Sequence, residues 1–273
     1  MVSTGPIQLY RYEAGPKDGP LLILLHGFPE SGRAWRRLMR PLAECGFHVV
    51  APDLRGYGAS ATPERLESYA LDVLVEDVVA LADALGVDRF TLTGHDWGGI
   101  IAWAVAARHP GRLQRLIILN APHPDTMADE MRGHPFQLLR SVYVAFFQIP
   151  RLPEALLGAF GYRLMRRALL ASSRPGTFSA TDLDSYMAEW SRPKRLTAML
   201  NYYRALRLPR APLGRIAVPT LILWGMKDSF LGSHLADAAA SLCDEVRVVG
   251  FADSTHWLAH EEPRRVVTEI ARP

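Results

Sequence analysis

The chain has 273 residues, enough for one α/β domain with an insertion and a sizeable buried core. Hydrophobic residues make up 49% and charged residues 22%, and the net charge of +3 is scattered, which argues against a nucleic-acid partner. The longest apolar runs, Leu21–Leu25 and 100–107, are far too short to span a bilayer. The start Met1-Val2-Ser3-Thr4-Gly5 has neither the basic segment nor the apolar core of a signal peptide. Cys45 and Cys243 offer neither a disulfide framework nor metal spacing. A cytoplasmic protein without a membrane partner is expected, as a monomer or a homodimer.

From the N-terminus, 7–12 alternates like an edge strand, and Leu21–Leu25 is a continuous apolar run of buried-strand type. Strands follow at 47–51, 90–93 and 113–119, separated by helical stretches over 34–44, 69–85 and 98–108. Such alternation predicts a mostly parallel sheet covered by helices on both faces. Between 123 and 212 the pattern turns helical and rich in aromatics, broken by Pro135, Pro150, Pro153, Pro175 and Pro193. Strands return at 220–224 and 245–249, with helices over 233–242 and 263–271. The expected organisation is an α/β core of 1–122 and 214–273, with a helical cap of 123–213 inserted after strand 6 of the fold. Ligands of such sheets sit beyond the carboxyl ends of the strands, where the cap would form a roof.

The strongest local signal is the strand, tight turn and helix of Phe90-Thr91-Leu92-Thr93-Gly94-His95-Asp96-Trp97-Gly98-Gly99. Glycines on both sides of one polar residue fit a nucleophile elbow, where crowding excludes larger neighbours. The usual elbow residue is Ser, and here it is Asp96. A Ser attacking a saturated carbon forms an ether that water does not readily cleave. A carboxylate forms an ester, whose carbonyl a second water can attack. Asp96 therefore points to an sp3 electrophile such as an epoxide or an alkyl halide. It needs no base to activate it, and the amides of a helix N-terminus favour its ionised form. The plain alternative is a capping Asp in a chance glycine-rich turn.

Three further pieces stand in the required order. Leu25-His26-Gly27-Phe28-Pro29 follows the first buried strand, where the fold supplies an oxyanion-hole amide, so the donors would be the N–H groups of Phe28 and Trp97. Trp224-Gly225-Met226-Lys227-Asp228 places an acid just past a late strand. Asp253-Ser254-Thr255-His256-Trp257 places a base in the loop after the last one. Nucleophile, acid and His in that chain order is the α/β-hydrolase arrangement. Asp253 competes with Asp228 as orienter of His256 but lies only three residues from it, and Asp125 is the place to look if Asp228 fails. His26 and His95 are expected to orient loops. His48, His109, His123, His134, His234 and His260 show no metal-ligand pairing, so neither a metal nor an organic cofactor is expected.

These motifs resemble the epoxide hydrolases of the α/β-hydrolase superfamily over nearly the whole chain. The match rests on His26-Gly27-Phe28-Pro29-Glu30-Ser31, Asp53-Leu54-Arg55-Gly56-Tyr57-Gly58 and Gly94-His95-Asp96-Trp97-Gly98-Gly99. In that family two cap tyrosines hold and protonate the epoxide oxygen. The resemblance implies Tyr143, in Tyr143-Val144-Ala145-Phe146-Phe147, and Tyr203 rather than Tyr202, in Leu200-Asn201-Tyr202-Tyr203-Arg204. Thr255 departs from the family's frequent Gly before the base. The length leaves no room for the extra N-terminal domain of mammalian relatives, so the single-domain bacterial type is the nearer likeness.

The implied reaction opens a small apolar epoxide with water to a vicinal diol. The rival is haloalkane dehalogenation with the same Asp, His and acid, but those enzymes usually have Asn where Phe28 stands and need no proton-donating tyrosines. Fluoroacetate dehalogenation fits less well, because Gly98, Gly99, Ile100 and Ile101 follow Trp97 without the arginines that would hold a carboxylate. A non-catalytic small-ligand receptor on the same fold is the alternative from another class.

Overall fold

The computed structural model describes residues 1–3 and 7–272, so part of the segment read for a signal peptide lies outside them. Seven strands form the main sheet: β1 (Arg11–Ala14), β2 (Leu21–Leu25), β3 (His48–Pro52), β4 (Phe90–His95), β5 (Leu113–Leu119), β6 (Thr220–Gly225) and β7 (Val246–Phe251). Their spatial order is β1-β3-β2-β4-β5-β6-β7, and only β1 runs antiparallel to its neighbour.

The expected strand over 7–12 divides in two. Gln8–Leu9 pairs with Val2–Ser3, and β1 pairs with β3. Between them the Tyr10 amide donates to Ser60 Oγ at 2.9 Å instead of to a strand. Counted from Gln8–Leu9, with β1 taken separately, β5 is the sixth strand, and the insertion leaves from there.

The alternation along β2 sorts its side chains between two cores. Leu21, Ile23 and Leu25 face helices α2 (Leu71–Ala84) and α3 (Trp97–Arg108), while Leu22 and Leu24 face α1 (Arg36–Glu44) and the C-terminal helix Pro263–Ala271. Burial on both faces is what lets β2 read as one apolar run. Truncating one of these leucines to Ala costs about 2–5 kcal/mol.

The inserted segment holds α4 (Met127–Gly133), α5 (Pro135–Arg140), α6 (Val142–Phe147), α7 (Leu152–Ala171), α8 (Ala180–Trp190) and α9 (Arg195–Arg204). Prolines mark several joints as the sequence suggests, with Pro135 and Pro153 in the first turns of α5 and α7. One break has no proline: α7 leaves helical geometry at Ala159, and Phe160, Gly161 and Tyr162 take positive φ. The chain then returns through β6 to α10 (His234–Ala240), β7, α11 (Leu258–Glu261) and α12 (Pro263–Ala271).

Hydrogen bonds tie the insertion to the loops at the carboxyl ends of β2 and β3. Trp190 Nε1 donates to the Pro29 carbonyl at 2.7 Å, Tyr186 Oη to Glu30 Oε1 at 2.6 Å, and Tyr202 Oη to the Arg55 carbonyl at 2.7 Å. Arg195 reaches the carbonyls of Tyr57 and Ser60. Among the described residues, no helix is long and apolar enough to cross a membrane.

Candidate active site

At the end of β4 the chain turns sharply through Asp96, whose φ of 50° and ψ of −121° lie where side chains rarely go. The glycines around it make that turn possible. A Cβ on Gly94 would meet the Gly98 carbonyl oxygen at 2.3 Å, and one on Gly98 would meet the Leu25 oxygen at 2.2 Å. One on Gly27 would lie 2.3 Å from the Asp96 Cβ, so the loop after β2 lies directly against the elbow. Strain of this sort persists only when the surroundings hold it, as they do here.

The Phe28 amide donates to Asp96 Oδ1 at 2.7 Å, and the Trp97 amide also bonds the carboxylate. The other oxygen, Oδ2, stands 3.8 Å from His256 Nε2, too far for a hydrogen bond. His256 Nδ1 meets Asp228 Oδ2 at 2.7 Å. Asp228 Oδ1 accepts from the amides of Phe230 at 2.7 Å and Leu231 at 3.0 Å. Three side chains that are far apart in sequence thus form one line, with the imidazole in the middle.

The other candidate acids lie elsewhere. Asp253 is exposed and paired with Lys227 at 2.7 Å. Asp125 holds Arg210 at 2.7 Å and accepts from the amides of Leu213 and Gly214, fastening the returning end of the insertion.

Burial pushes the Asp96 carboxyl above its ordinary value, and the charge of His256 and the amides of Phe28 and Trp97 oppose that rise. The amides at the helix N-terminus, which favour the ionised form, therefore do not cancel the effect of burial. Burial alone would lower His256, but the charge and hydrogen bond of Asp228, with Asp96, carry it above the ordinary imidazole range. Asp228 is pulled below its usual range despite burial, by His256 and the two amides.

A cavity of about 300 Å³ opens above Asp96. Its walls include Phe28, Phe146, Phe147, Leu157, Met165 and Phe230, so it suits an apolar molecule. Tyr143 of α6 and Tyr203 of α9 line it together with Asp96 and His256. Their rings meet edge to face at 5.8 Å, and Tyr203 stands edge-on to Trp97 at 5.1 Å. Burial, reinforced by nearby Asp96, raises both phenols above their ordinary value. Tyr202 differs, because its hydroxyl is committed to the Arg55 carbonyl.

The family model described as alpha/beta hydrolase fold matches residues 20–263. The chain belongs to the α/β-hydrolase fold family. It is 40% identical over 96% of its length to the AB hydrolase superfamily protein YfhM of Bacillus subtilis, covering 92% of that protein. To Epoxide hydrolase 4 of Mus musculus it is 36% identical, over 94% of this chain and 73% of that one. A crystal structure of the Bacillus megaterium epoxide hydrolase with an inhibitor superimposes with a TM-score of 0.87 at 32% identity, covering 99% of this chain and 97% of that one. The epoxide-hydrolase resemblance carried by the three motifs is therefore a true relationship.

Within this α/β-hydrolase, Asn120 and Glu30 support the site beyond the residues expected from sequence, and His95 orients the loop of the base as expected. Asn120, just past β5, donates from Nδ2 to Asp228 Oδ2 at 2.6 Å and accepts the Gly225 amide at 3.0 Å. Behind the site, His95 Nε2 meets the His256 carbonyl at 2.9 Å. Glu30, in the quoted His-Gly-Phe-Pro-Glu run, receives Tyr186 Oη and contacts His260 Nε2, each at 2.6 Å. Burial disfavours the Glu30 charge, but His260 and its hydrogen bond dominate and hold the carboxyl down at about 2. Thr255 also finds its explanation. Its amide and hydroxyl donate to Glu261 at 2.8 and 2.7 Å, and the residue is absent from those with positive φ, so the loop has no need of glycine there.

All six of the histidines read as without metal-ligand pairing meet an acid or a ring: His48 with Glu13, His109 with Glu76, His123 with Trp103, His260 with Glu30, and His134 with His234 beside Glu130, the last a grouping of ligand type that corrects that expectation.

Proposed function

We propose that the chain hydrolyses an apolar epoxide to a vicinal diol through an alkyl ester on Asp96, with 1–122 and 214–273 as the core and 123–213 as the cap. The observation that carries this reading is the placement of two phenols, Tyr143 and Tyr203, on the wall of the cavity that also contains Asp96.

In the first step Asp96 Oδ2 attacks an epoxide carbon and the C–O bond opens. The Tyr143 and Tyr203 hydroxyls donate to the departing oxygen, which takes up a proton. Their raised values keep both phenols protonated at neutral pH, ready to donate as the alkoxide forms. In the second step neutral His256 takes a proton from water, and the hydroxide attacks Cγ of the ester. The gap of 3.8 Å between His256 Nε2 and Asp96 Oδ2 leaves that nitrogen available for water. Oδ1, already held by the Phe28 amide, bears the negative charge of the tetrahedral intermediate, and loss of one such donor typically costs about 3–4 kcal/mol. Collapse expels the diol, whose new hydroxyl takes the proton from His256, while the proton left on the carboxyl group returns to the tyrosine phenolate and restores the carboxylate. The substrates are a small apolar epoxide and water, and no cofactor takes part.

Incubation with an aryl epoxide and, separately, with a bromoalkane tests this reading. Diol well above a His256→Ala control, with little bromide, is expected. Bromide without diol would transfer the assignment to dehalogenation, and neither product would leave a ligand-binding role.

A further inference from the structure

We propose that Glu130, His134 and His234 form a binding site for a divalent first-row transition ion of the zinc type, placed across the seam between the insertion and the sheet domain. Glu130 and His134 are four residues apart at the end of α4, a spacing that puts both on one face. His234 opens α10, about a hundred residues later, on the other side of the seam. His134 Nδ1 lies 3.1 Å from Glu130 Oε2, and His234 Nε2 lies 3.7 Å from the same oxygen. All three donor atoms fall within 4.8 Å of one another.

The separations of 3.1 and 3.7 Å lie on either side of what such an ion requires. Zinc binds imidazole nitrogen and carboxylate oxygen at about 2.0–2.2 Å, so tetrahedral ligand atoms stand about 3.4 Å apart. The two imidazoles lie close, stacked with centroids 4.0 Å apart and planes 27° apart, and one must turn for both to present a ring nitrogen to the same ion. His234 Nε2 is buried and has no hydrogen-bond partner, an arrangement that is costly unless another ligand takes that nitrogen. The His134 side chain remains 50% exposed, so water has access to complete the coordination.

Nitrogen donors favour zinc, copper, nickel or cobalt over calcium or magnesium. Near His234 the charge of Arg140 opposes a cation and that of Asp237 favours one.

None of the three residues lines the cavity above Asp96, so this site is separate from the proposed chemistry. It is nevertheless mechanically close. Gln137 of α5 already bridges the same seam, donating to the Phe230 carbonyl at 2.8 Å and accepting the Gly232 amide at 2.9 Å. That loop also carries Asp228. An ion held by Glu130, His134 and His234 would therefore pin the start of the insertion to the segment that positions the acid.

Calorimetric titration of zinc chloride into the chelator-treated full chain tests the site without reference to catalysis. One ion per chain with a Kd of about 1–10 µM is expected, accompanied by a rise in Tm. His134→Ala and His234→Ala should each weaken binding at least about tenfold and abolish that rise. Glu130→Gln, which preserves the side-chain shape, should also weaken binding and guards against loss through misfolding. His109→Ala, at the exposed Glu76 pair elsewhere, should leave the isotherm unchanged. Binding equally tight in all three site variants, or no binding by the parent chain below about 100 µM, would overturn the proposal.

Discussion

Asn120 Nδ2 donates to Asp228 Oδ2 at 2.6 Å, and that same oxygen faces His256 Nδ1 at 2.7 Å. The amide therefore fixes the carboxylate that fixes the base. A hydrogen bond to a charged group contributes about 1.5–3 kcal/mol. Asn120→Ala should lower kcat by roughly ten- to a hundredfold with a smaller change in KM. Asn120→Asp should be worse, because it sets a second negative charge against Asp228. Steady-state kinetics alongside thermal melts decide the matter: a lower Tm with unchanged kcat would make Asn120 only a structural residue.

Asp228 raises His256 above the ordinary imidazole range. The base acts when neutral, so activity should fall on the acid side as the imidazole takes up a proton. Asp228→Asn removes the charge that favours the imidazolium, and the His256 value drops. The acid limb of the kcat profile should move to lower pH, while the maximal rate falls about 10²–10⁴-fold because the ring loses its orienting partner. A limb that moves upward, or stays in place, would contradict this coupling.

Tyr143→Phe and Tyr203→Phe keep the ring contacts, including the 5.8 Å edge-to-face pair, and remove only the hydroxyls. Each should lower kcat for an epoxide about tenfold, and the double variant should lose about 10²–10⁴-fold with the fold intact. Rapid-quench measurement of ester formation checks the step involved, since alkylation should slow and hydrolysis of a formed ester should not. Unchanged alkylation would reduce both tyrosines to packing.

How much of this was legible in the residues depended on how local the constraint was. The elbow could be read because Gly94, Gly98 and Gly99 satisfy close approaches that any Cβ would obstruct. The candidate acid and base were legible from chain order, since each follows a short strand, the apolar 220–224 and the valine-rich 245–249. Tyr203 and Tyr202 could be told apart only through family likeness, and the hydroxyl of Tyr202 on the Arg55 carbonyl supplies the physical difference. Asn120 gave no signal, because an Asn after a strand is common and its partner Asp228 is 108 residues away. The break in α7 was equally hidden, with Ala159 and Phe160 carrying no helix-stopping chemistry and Gly161 alone hinting at it. The cluster at Glu130 combines a local pair with a distant His234, and only folding joins them.

The central claim is the ester on Asp96, and single-turnover reaction in ¹⁸O-labelled water tests it most directly. With enzyme in excess over epoxide, the account predicts that the label enters the Asp96 carboxylate, detectable in the peptide that contains it, while the diol carries an oxygen from Asp96. Label found only in the diol after that single turnover, with Asp96 unlabelled, would show direct attack of water on the epoxide and contradict the account.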